Sequence, residues 1–422
     1  MLRTRGVHSV AIIGSGVSGL TAAHLLSRTH DVVLYEAEPR LGGHAHTHTL
    51  TDAAGRTQRV DSGFIVHNDR TYPNLRRLFA ELDVEAVPTE MSMSITDPAS
   101  GLSFAGGRGV GGVFAQPRRA ASPRFLAMLA QVRRFHRLAS SYIAQTGSAD
   151  TATFGAFLDQ HRFTADFRRW YAVPLVACVW SSGGQTALQY PARYLFRFLD
   201  HHGMLSVKGS PTWFTVRGGS STYVDALAAR LPGIRSGVPV RAIERGPHGA
   251  AVITADGVRA EYDAVVIAVH ADDALKLLAD PTPDERAVLG AFRYSANETV
   301  LHTDTSLLPA PRRARAAWNY LVDEAGEQPI VTYWMNKLQR LESGTDYLVT
   351  LGARNRIAPE SVLQVMDYRH PIYEPASVAA QRQLPGLNSA STIYAGAYHG
   401  WGFHEDGCRS GVAAAQALGA AW

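Results

Sequence analysis

The sequence is poor in cysteine and contains no long apolar run. It holds two cysteines in 422 residues, Cys178 and Cys408, which argues against a disulfide framework and favours a reducing compartment. No apolar run approaches the roughly 18 residues that a membrane-spanning helix needs. The first run, Val10–Ile13, is too short for a secretory signal. We therefore expect a cytoplasmic protein.

Lysine is also scarce, since only three of the 41 basic residues are lysines and the other 38 are arginines. The formal net charge is +4, but no basic block has the length typical of nucleic-acid-binding proteins, so we expect no nucleic-acid partner. A basic helix expected over 122–145 is compatible with peripheral contact to anionic lipid at the inner membrane face. A solvated basic face is the simpler alternative.

The length and the 46% apolar content allow two or three domains with large cores. Strand, glycine-turn and helix patterns near the N-terminus, the middle and the C-terminus indicate one discontinuous nucleotide domain. We assign it residues 1–70, 210–275 and 390–422, and we assign 71–209 and 276–389 to a substrate domain. The predicted fold class is α/β, a Rossmann-type domain interleaved with an α+β substrate domain.

The N-terminal strand Ser9–Ile13 runs directly into a Gly-x-Gly-x-x-Gly pattern. Gly14 allows a tight turn, Gly16 lets backbone amides approach a pyrophosphate, and Gly19 lets a helix pack closely on the sheet. The N-terminus of that helix offers unpaired N–H groups to phosphates. Glu36, 22 residues after Gly14, can accept hydrogen bonds from a ribose diol. The motif predicts a dinucleotide site and leaves NAD and FAD open.

The segment Gly107–Gly112 matches the same glycine pattern. No buried strand is expected before it, and Phe114 and Pro117 follow where a helix should run. We therefore interpret this second match as a flexible loop and not as a nucleotide site.

Further motifs resemble the flavin amine oxidase superfamily, which includes phytoene desaturases and protoporphyrinogen oxidases. The matching segments are Arg40–Gly43, Pro239-Val240, Asp263–Ala268, Ala395-Gly396 and Gly402–His404. The resemblance implies non-covalent FAD in an amine-oxidase-like domain. The cofactor contacts it implies are Gly14, Ser15, Gly16, Val17, Ser18, Gly19, Glu36, Ala37, Arg40, Gly42, Gly43, His44, Gly63, Phe64, Ile65, Val66, Val240, Ala268, Gly396, Phe403, His404 and Asp406.

A narrower set of segments, Asp61–Pro73, Val179–Ser181 and Gly400–Gly407, is similar to a bacterial group of NAD/FAD-binding proteins. Their genes accompany cyclopropane-fatty-acid-synthase-like methyltransferases. This resemblance implies an FAD-dependent oxidoreductase that acts on a C–C bond of a lipophilic substrate. Desaturation of a methyl-branched fatty acyl chain, with hydride passing to flavin N5, is the reaction it favours; the electron acceptor is unknown.

The amine oxidases of the superfamily carry a lysine on the strand that corresponds to Ser295–Leu301. This chain has none there, and Asn297 or Glu298 occupies the neighbourhood. The departure lowers the expectation of amine oxidation, but a peroxide-releasing amine oxidase stays open. A non-redox flavoprotein, either an isomerase or a scaffold, is the other alternative.

Aromatic and histidine side chains crowd the loop before the C-terminal helix. We expect His404, Tyr398 and Trp401 to act on the substrate, with His404 as the acid/base because its ordinary pKa lies near neutrality. The helix is expected over 407–419 with Asp406 near its start. Cys408, close to that start, is expected to have a lowered pKa.

Three histidines, His44, His46 and His48, alternate along the chain. An extended strand would place them on one face with spacing that suits a metal. No carboxylate or cysteine joins them, so we predict cofactor contact for His44 and no metal.

Overall fold

The computed structural model describes residues 8–145, 152–181, 183–206, 209–323 and 329–422. The strands in these ranges are β1 (Ser9–Ile13), β2 (Asp31–Tyr35), β3 (Thr47–Thr51), β4 (Thr57–Asp61), β5 (Val66–Asn68), β6 (Ala86–Pro88), β7 (Met93–Asp97), β8 (Leu102–Gly106), β9 (Trp213–Val216), β10 (Ile234–Arg235), β11 (Val240–Gly246), β12 (Gly249–Thr254), β13 (Arg259–Tyr262), β14 (Ala264–Ile267), β15 (Arg293–His302), β16 (Trp318–Leu321), β17 (Ile330–Trp334), β18 (Leu348–Leu351), β19 (Val362–Ile372) and β20 (Thr392–Tyr394).

The α-helices in the same ranges are α1 (Val17–Leu26), α2 (Pro73–Glu81), α3 (Gly109–Val113), α4 (Pro123–Ala144), α5 (Phe154–Gln160), α6 (Ala165–Phe167), α7 (Val173–Trp180), α8 (Gly184–Gln189), α9 (Ala192–His201), α10 (Ser221–Ala228), α11 (Ala271–Leu277), α12 (Pro283–Leu289), α13 (Met335–Leu338), α14 (Pro375–Gln381) and α15 (His404–Ala417). Within these described ranges, no helix combines the length and apolar character needed to cross a bilayer.

A five-stranded parallel sheet has the order β10-β2-β1-β14-β20. Its two central strands are fully apolar at their core, as the continuous run Ala264–Ile267 predicts for a sheet covered on both faces. The connection from β1 leads to β2 on one side, while β14 lies on the other side. This reversal of strand order opens a crevice at the carboxyl ends of β1 and β14, where such sheets bind ligands.

Two layers cover this sheet. Helices α1, α10 and α15 share one core with the sheet, and the antiparallel sheet β11-β12-β13 shares another core with α11 and α12. Helix α2 also belongs to the first core, through Leu75, Leu78 and Phe79. The predicted boundary between residues 70 and 71 therefore falls too early, because these side chains pack with the nucleotide part. The other predicted domain boundaries stay predictions.

A seven-stranded sheet, β19-β15-β18-β17-β16-β7-β8, forms the second half of the molecule. All its neighbours are antiparallel except β16 and β7. The helices between residues 123 and 201 share an aromatic-rich core with this sheet, centred on side chains such as Phe135, Phe157 and Phe196. The ring centroid of Phe196 lies 5.6 Å from that of Phe135 and 4.6 Å from that of Phe157. Such aromatic pairs give the helical layer a packed interior of its own.

The second glycine match is not a flexible loop. Strand β8, with four of its five residues buried, precedes it, and the five-residue helix α3 follows. However, β8 pairs antiparallel with β7 at the edge of the seven-stranded sheet. The segment therefore lacks the parallel strand–helix–strand unit that a dinucleotide site needs.

The buried carboxylate of Asp61 ties the two halves together at the end of β4. It accepts hydrogen bonds from Thr47 Oγ1 (2.5 Å), Ser220 N (2.9 Å) and Gln339 Nε2 (2.7 Å). Burial raises the pKa of Asp61 to about 6. Its isolated position in the sequence gave no sign of this role.

Candidate functional site

The first glycine turn has no room for side chains on its protein side. Gly14 has φ = +101°, and a Cβ there would lie 2.7 Å from the Ala268 carbonyl oxygen. A Cβ on Gly19 would lie 1.9 Å from the Gly14 carbonyl oxygen. A Cβ on Gly16 would meet nothing within 4 Å, and Gly16 caps α1 without any side-chain hydrogen bond. The start of α1 therefore faces open space that suits a phosphate group.

The Gly-Gly turn folds onto this helix start. Gly42 and Gly43 have φ of +106° and +56°, values that favour glycine. The Gly42 N–H donates to Ser15 Oγ (3.1 Å), and a Cβ on Gly43 would lie 3.2 Å from the Cα of Gly16. Arg40 holds the far side of the turn by donating to the carbonyl oxygen of Ala45 (3.2 Å).

Glu36 directly follows β2, beside the same turn. Its carboxylate accepts hydrogen bonds from Ser15 N (2.9 Å), Ser15 Oγ (2.5 Å) and Glu38 N (3.0 Å). The Glu36 carbonyl oxygen accepts from Val238 N (2.9 Å), which brings Val240, at the start of β11, close to the end of β2. Ala37 is exposed at this edge. The arrangement fits an adenosine, with Glu36 for the ribose and the Val240 backbone for the base.

Residues 63–66 lie against the turn from the other side. The Phe64 N–H donates to the His44 carbonyl oxygen (2.7 Å), and a Cβ on Gly63 would lie 2.1 Å from that oxygen. Ile65 and Val66 then lead into β5 with their side chains buried. The close approach explains why glycine stands at position 63.

His44 lies in a cluster with His370, which is half-buried like His44, and with the buried side chains of Asn297 and Tyr368; we call these four residues the His44 cluster. The ring centroid of His44 is 5.1 Å from that of Tyr368 and 5.4 Å from that of His370. Asn297 Nδ2 lies 3.2 Å from His370 Nδ1. His44 Nε2 is buried without a hydrogen-bond partner among the described residues. Burial holds the pKa of His44 well below its ordinary value and lowers that of His370 to about 4, so both rings are neutral near pH 7.

The structure resolves the choice that the sequence left open on β15. Asn297 is 5% exposed and faces the His44 cluster. Glu298 points to the surface and pairs with Arg354 (3.0 Å). Two lysines are occupied elsewhere, Lys276 by Asp272 and Asp273, and Lys337 by Glu90. Lys208 lies outside the described residues.

The three alternating histidines do not share one face. His44 lies in the turn before β3, whereas the ring centroids of His46 and His48 lie 4.1 Å apart with the rings tilted by 35°. His46 Nδ1 lies 2.9 Å from the hydroxyl of Tyr368, which also lies 2.7 Å from Ser62 Oγ. The chain bends at Gly42-Gly43, and this bend gives His44 an orientation of its own. His46 thus supports Tyr368, while His44 packs on its ring.

The candidate loop residues at the C-terminus separate into different surroundings. Tyr398 is 2% exposed and packs on Phe292 in the core below the five-stranded sheet. Trp401 and Phe403 instead contact the helical layer, where the ring of Phe403 stacks on that of Phe198 at 4.9 Å. Trp401 Nε1 is buried without a partner among the described residues. A substrate surface at this loop would therefore use Trp401 and Phe403, and Tyr398 would support it from beneath.

Helix α15 begins at His404, three residues before the predicted start. The ring of His404 stacks on Phe64 at 3.7 Å, and its Nε2 lies 3.1 Å from the Tyr223 hydroxyl. Burial lowers the pKa of His404 to about 3. The site therefore holds this histidine as a neutral packed ring, which weighs against its expected acid/base role near pH 7; that role stays a prediction.

The two acids that follow His404 organise the surrounding loops. Asp406 accepts from Trp401 N (3.0 Å) and Phe403 N (3.1 Å), so it shapes the aromatic loop from the third residue of α15 rather than from its N-cap. Glu405 accepts from Leu75 N (3.0 Å) and thereby caps α2, a role that sequence reasoning missed.

Helix α15 packs tightly on α1. A Cβ on Gly407 would lie 2.6 Å from Val17 Cγ1, and Ser410 Oγ lies 3.4 Å from Ser18 Oγ. Ser410 Oγ also accepts from Gly396 N (2.9 Å). Cys408 lies in this interface, where burial raises its pKa to about 12, so the predicted lowering is wrong. The other cysteine, Cys178, is buried as well. Burial makes both thiols poor nucleophiles.

These features define a class. The parallel sheet is followed by a glycine turn, and Glu36 stands where it can bind a ribose. The chain also has a Gly-Gly turn and a second, interleaved sheet. This combination is that of an FAD-dependent oxidoreductase. The family model of flavin containing amine oxidoreductases matches residues 17–311, and the chain belongs to that family.

Solved structures share the whole fold at low sequence identity. Putrescine oxidase bound to putrescine is 17% identical, with 97% of this chain and 98% of that one covered at a TM-score of 0.70. Cyclohexylamine oxidase from Brevibacterium oxydans is 17% identical, with 98% of both chains covered at a TM-score of 0.70. A fatty acid isomerase from P. acnes that produces CLA is 17% identical, covering 95% of this chain and 96% of that one, at a TM-score of 0.68.

Proposed function

We propose that this protein desaturates a C–C bond of a lipophilic substrate, with a methyl-branched fatty acyl chain as the candidate. The proposal rests on the position of Asn297. This residue faces the His44 cluster on the strand where the amine oxidases of the superfamily carry a lysine. The cluster supports an uncharged reacting group, because its histidines are neutral. Asp272 and Asp273 come near the cluster through Arg369, the neighbour of His370, and their charges are balanced by Arg369 and Lys276.

The chemistry divides between cofactor and chain. FAD, when bound, supplies the hydride acceptor for one C–H bond. The neighbouring carbon must lose a proton. His44 is the proposed acceptor because its Nε2 has no hydrogen-bond partner among the described residues, whereas His404 Nε2 lies 3.1 Å from the Tyr223 hydroxyl. Burial lowers the pKa of both rings, so their hydrogen-bond geometry and not their pKa separates them. Asn297 positions His370 beside this ring. Tyr368 supports its other side.

The aromatic loop supports the lipophilic part of the proposal. Trp401 and Phe403 offer apolar surface next to α9, and the carbonyl oxygen of Trp401 is fixed by Trp180 Nε1 (3.0 Å). Rings held in this way would exclude water and contact an alkyl chain without a charged partner.

The test compares fatty-acid profiles of a host with and without the gene, and with the Asn297→Lys variant. We expect a new unsaturated, methyl-branched species only with the native gene. Anaerobic loss of flavin colour when the saturated chain is added to the purified protein would link that species to the site. Identical profiles with a flavin-loaded protein would contradict the lipid substrate.

Two alternatives have support of their own. The likeness to putrescine and cyclohexylamine oxidases favours an amine substrate, which would release hydrogen peroxide when simple amines are added. The likeness to the fatty acid isomerase favours a shift of a double bond, which would change the position of unsaturation without net flavin reduction. Peroxide assays and product analysis on the same preparation separate the three reactions.

A further inference from the structure

One region of the chain carries charge of a single sign. Between Asp97 and Asp150 the sequence holds seven arginines and no acidic residue. This stretch includes β8, the glycine-rich segment with α3, and the long helix α4. Such a block repels itself unless an anionic partner or solvent balances it.

Two segments of this region meet a third, more distant segment at one corner of the molecule. The ring of Phe114, just after α3, lies 6.1 Å from the ring of Phe125 in the first turn of α4. A 3₁₀ turn, Arg312–Ala314, adjoins them, because Arg108 donates a hydrogen bond to the carbonyl oxygen of Arg315. The fold therefore brings further arginines from a distant part of the chain to the same corner.

Two arginines of this stretch have acidic partners, since Arg108 pairs with Glu90 and Arg124 with Asp166. Other arginines at the corner are exposed and form no ion pair among the described residues. Helix α4 shows Leu126, Arg133 and Arg137 to solvent at a spacing of seven and four residues, which places them along one face. Among the described residues, no ion pair is formed by the following side chains: Arg118, Arg133, Arg137, Arg312 and Arg313. Together with Val110 and Leu126, we call them the basic corner.

Apolar side chains stand within this charged surface. The described residues expose four large apolar side chains, and two of them, Val110 at 75% and Leu126 at 42%, belong to the basic corner. Val110 lies at the tip of the glycine-rich segment, in the short helix α3. Exposed apolar tips surrounded by arginines are the composition of surfaces that rest on anionic bilayers.

We propose that the basic corner docks this protein on an anionic lipid bilayer, with Val110 and Leu126 entering the interface and the arginines facing lipid headgroups. A nucleic acid fits less well, because no aromatic side chain among the described residues is exposed at this corner for base stacking. The proposal does not depend on the reaction proposed above, since docking is measured without turnover.

The test is co-flotation of the purified, flavin-loaded full chain with vesicles. One set consists of phosphatidylcholine alone, and the other contains phosphatidylcholine with phosphatidylglycerol. We expect binding to the second set only, with weaker binding as salt rises because headgroup attraction is screened.

Two variants and two matched controls locate the surface. Val110→Asp should abolish binding, whereas Val258→Asp, at a valine that is 50% exposed on the β12–β13 turn, should leave it unchanged. Arg133→Ala with Arg137→Ala should weaken binding by on the order of tenfold. Arg286→Ala with Arg382→Ala, at exposed arginines on α12 and after α14, should have little effect.

Absence of binding to anionic vesicles would overturn the proposal. Equal losses in the Arg133/Arg137 and Arg286/Arg382 variants would also overturn it, because net charge alone would then explain the attraction. Tight binding of a short duplex DNA that survives Val110→Asp would assign the corner to nucleic acid instead.

Discussion

The nucleotide turns and the His44 cluster lie side by side, yet they depend on the chain in opposite ways. The turns come from residues 14–43, and four of their glycines, Gly14, Gly19, Gly42 and Gly43, are required because a Cβ at each would lie 1.9 to 3.2 Å from a backbone atom. The cluster joins His44 to β15 and β19, more than 250 residues away, through side-chain contacts. The proposed FAD site therefore depends on local backbone geometry. The proposed reaction depends on contacts between side chains that are far apart in the sequence.

A substitution that disturbs the backbone of the nucleotide turns should have the largest effect on FAD binding and stability. In Gly19→Ala, the added Cβ would meet the Gly14 carbonyl oxygen at 1.9 Å, so α1 must move away from the turn. We expect purified protein without FAD and a free energy of unfolding lower by about 1–3 kcal/mol. Flavin absorbance and chemical denaturation measure the two effects.

Gly111→Ala is the matched control in the second glycine match, where a Cβ would meet nothing within 4 Å. It should retain FAD and stability. Loss of FAD in both variants would mean that the two glycine segments are not as different as their surroundings indicate.

Removing the reactive ring should have the next largest effect. We expect His44→Gln to keep FAD but to lower kcat by about a hundredfold or more, the range for loss of a proton acceptor. His404→Gln should change kcat far less, because His404 is stacked on Phe64. Turnover per bound flavin measures both. If His404→Gln causes the larger loss at equal flavin content, the acid/base role expected from the sequence is the correct one.

The difference between local patterns and long-range contacts also determines how much could be predicted from the sequence. Strand β1 has the expected bounds, Ser9–Ile13, because a local apolar pattern and the glycine that follows it fix them. Tyr368 and His370 were missed, although their spacing of two residues places them on one face of β19. Nothing local connects that face to His44: the pairing of β19 with β15 brings Asn297 alongside it, and side-chain packing brings His44 against Tyr368 and His370.

The start of α15 shows a second limit. Asp406 resembles an N-cap, but it lies at the third helical position, where its carboxylate accepts from the N–H of Phe403, the N-cap residue, as in a capping box, and from the N–H of Trp401. The helix therefore begins earlier, and His404 enters the core as its first residue. A capping residue type indicates that a helix starts nearby but not which backbone groups its side chain binds.

Two buried carboxyls outside both regions, those of Asp406 and Asp61, give a smaller, pH-dependent effect. Burial raises the pKa of Asp406 from 3.8 to about 6, so the folded protein holds this proton more tightly than the unfolded chain. The stabilisation is present below about pH 4 and is lost as pH rises through 6, by about 3 kcal/mol. Asp406→Asn should remove this contribution and flatten the dependence of the unfolding free energy on pH.

Asp61→Asn allows the same measurement of unfolding free energy against pH where the two halves of the molecule meet. The pKa of Asp61 is also about 6. Denaturant unfolding at several pH values gives each slope. An unchanged slope in either variant would mean that the carboxylate is compensated by its hydrogen-bond donors, which for Asp61 include Thr47 and Ser220.

The smallest effect should come from a side chain within the turn region. Glu36→Gln keeps the shape but removes the charge that strengthens hydrogen bonds to a ribose diol, so the Kd for FAD should rise about tenfold. Glu38→Gln, two residues away with its side chain 62% exposed, should leave that Kd within about twofold. Titration of the flavin-free protein with FAD gives both values. Because kcat at saturating FAD should be native in Glu36→Gln, a large fall in kcat would show that the two regions are coupled and not separable.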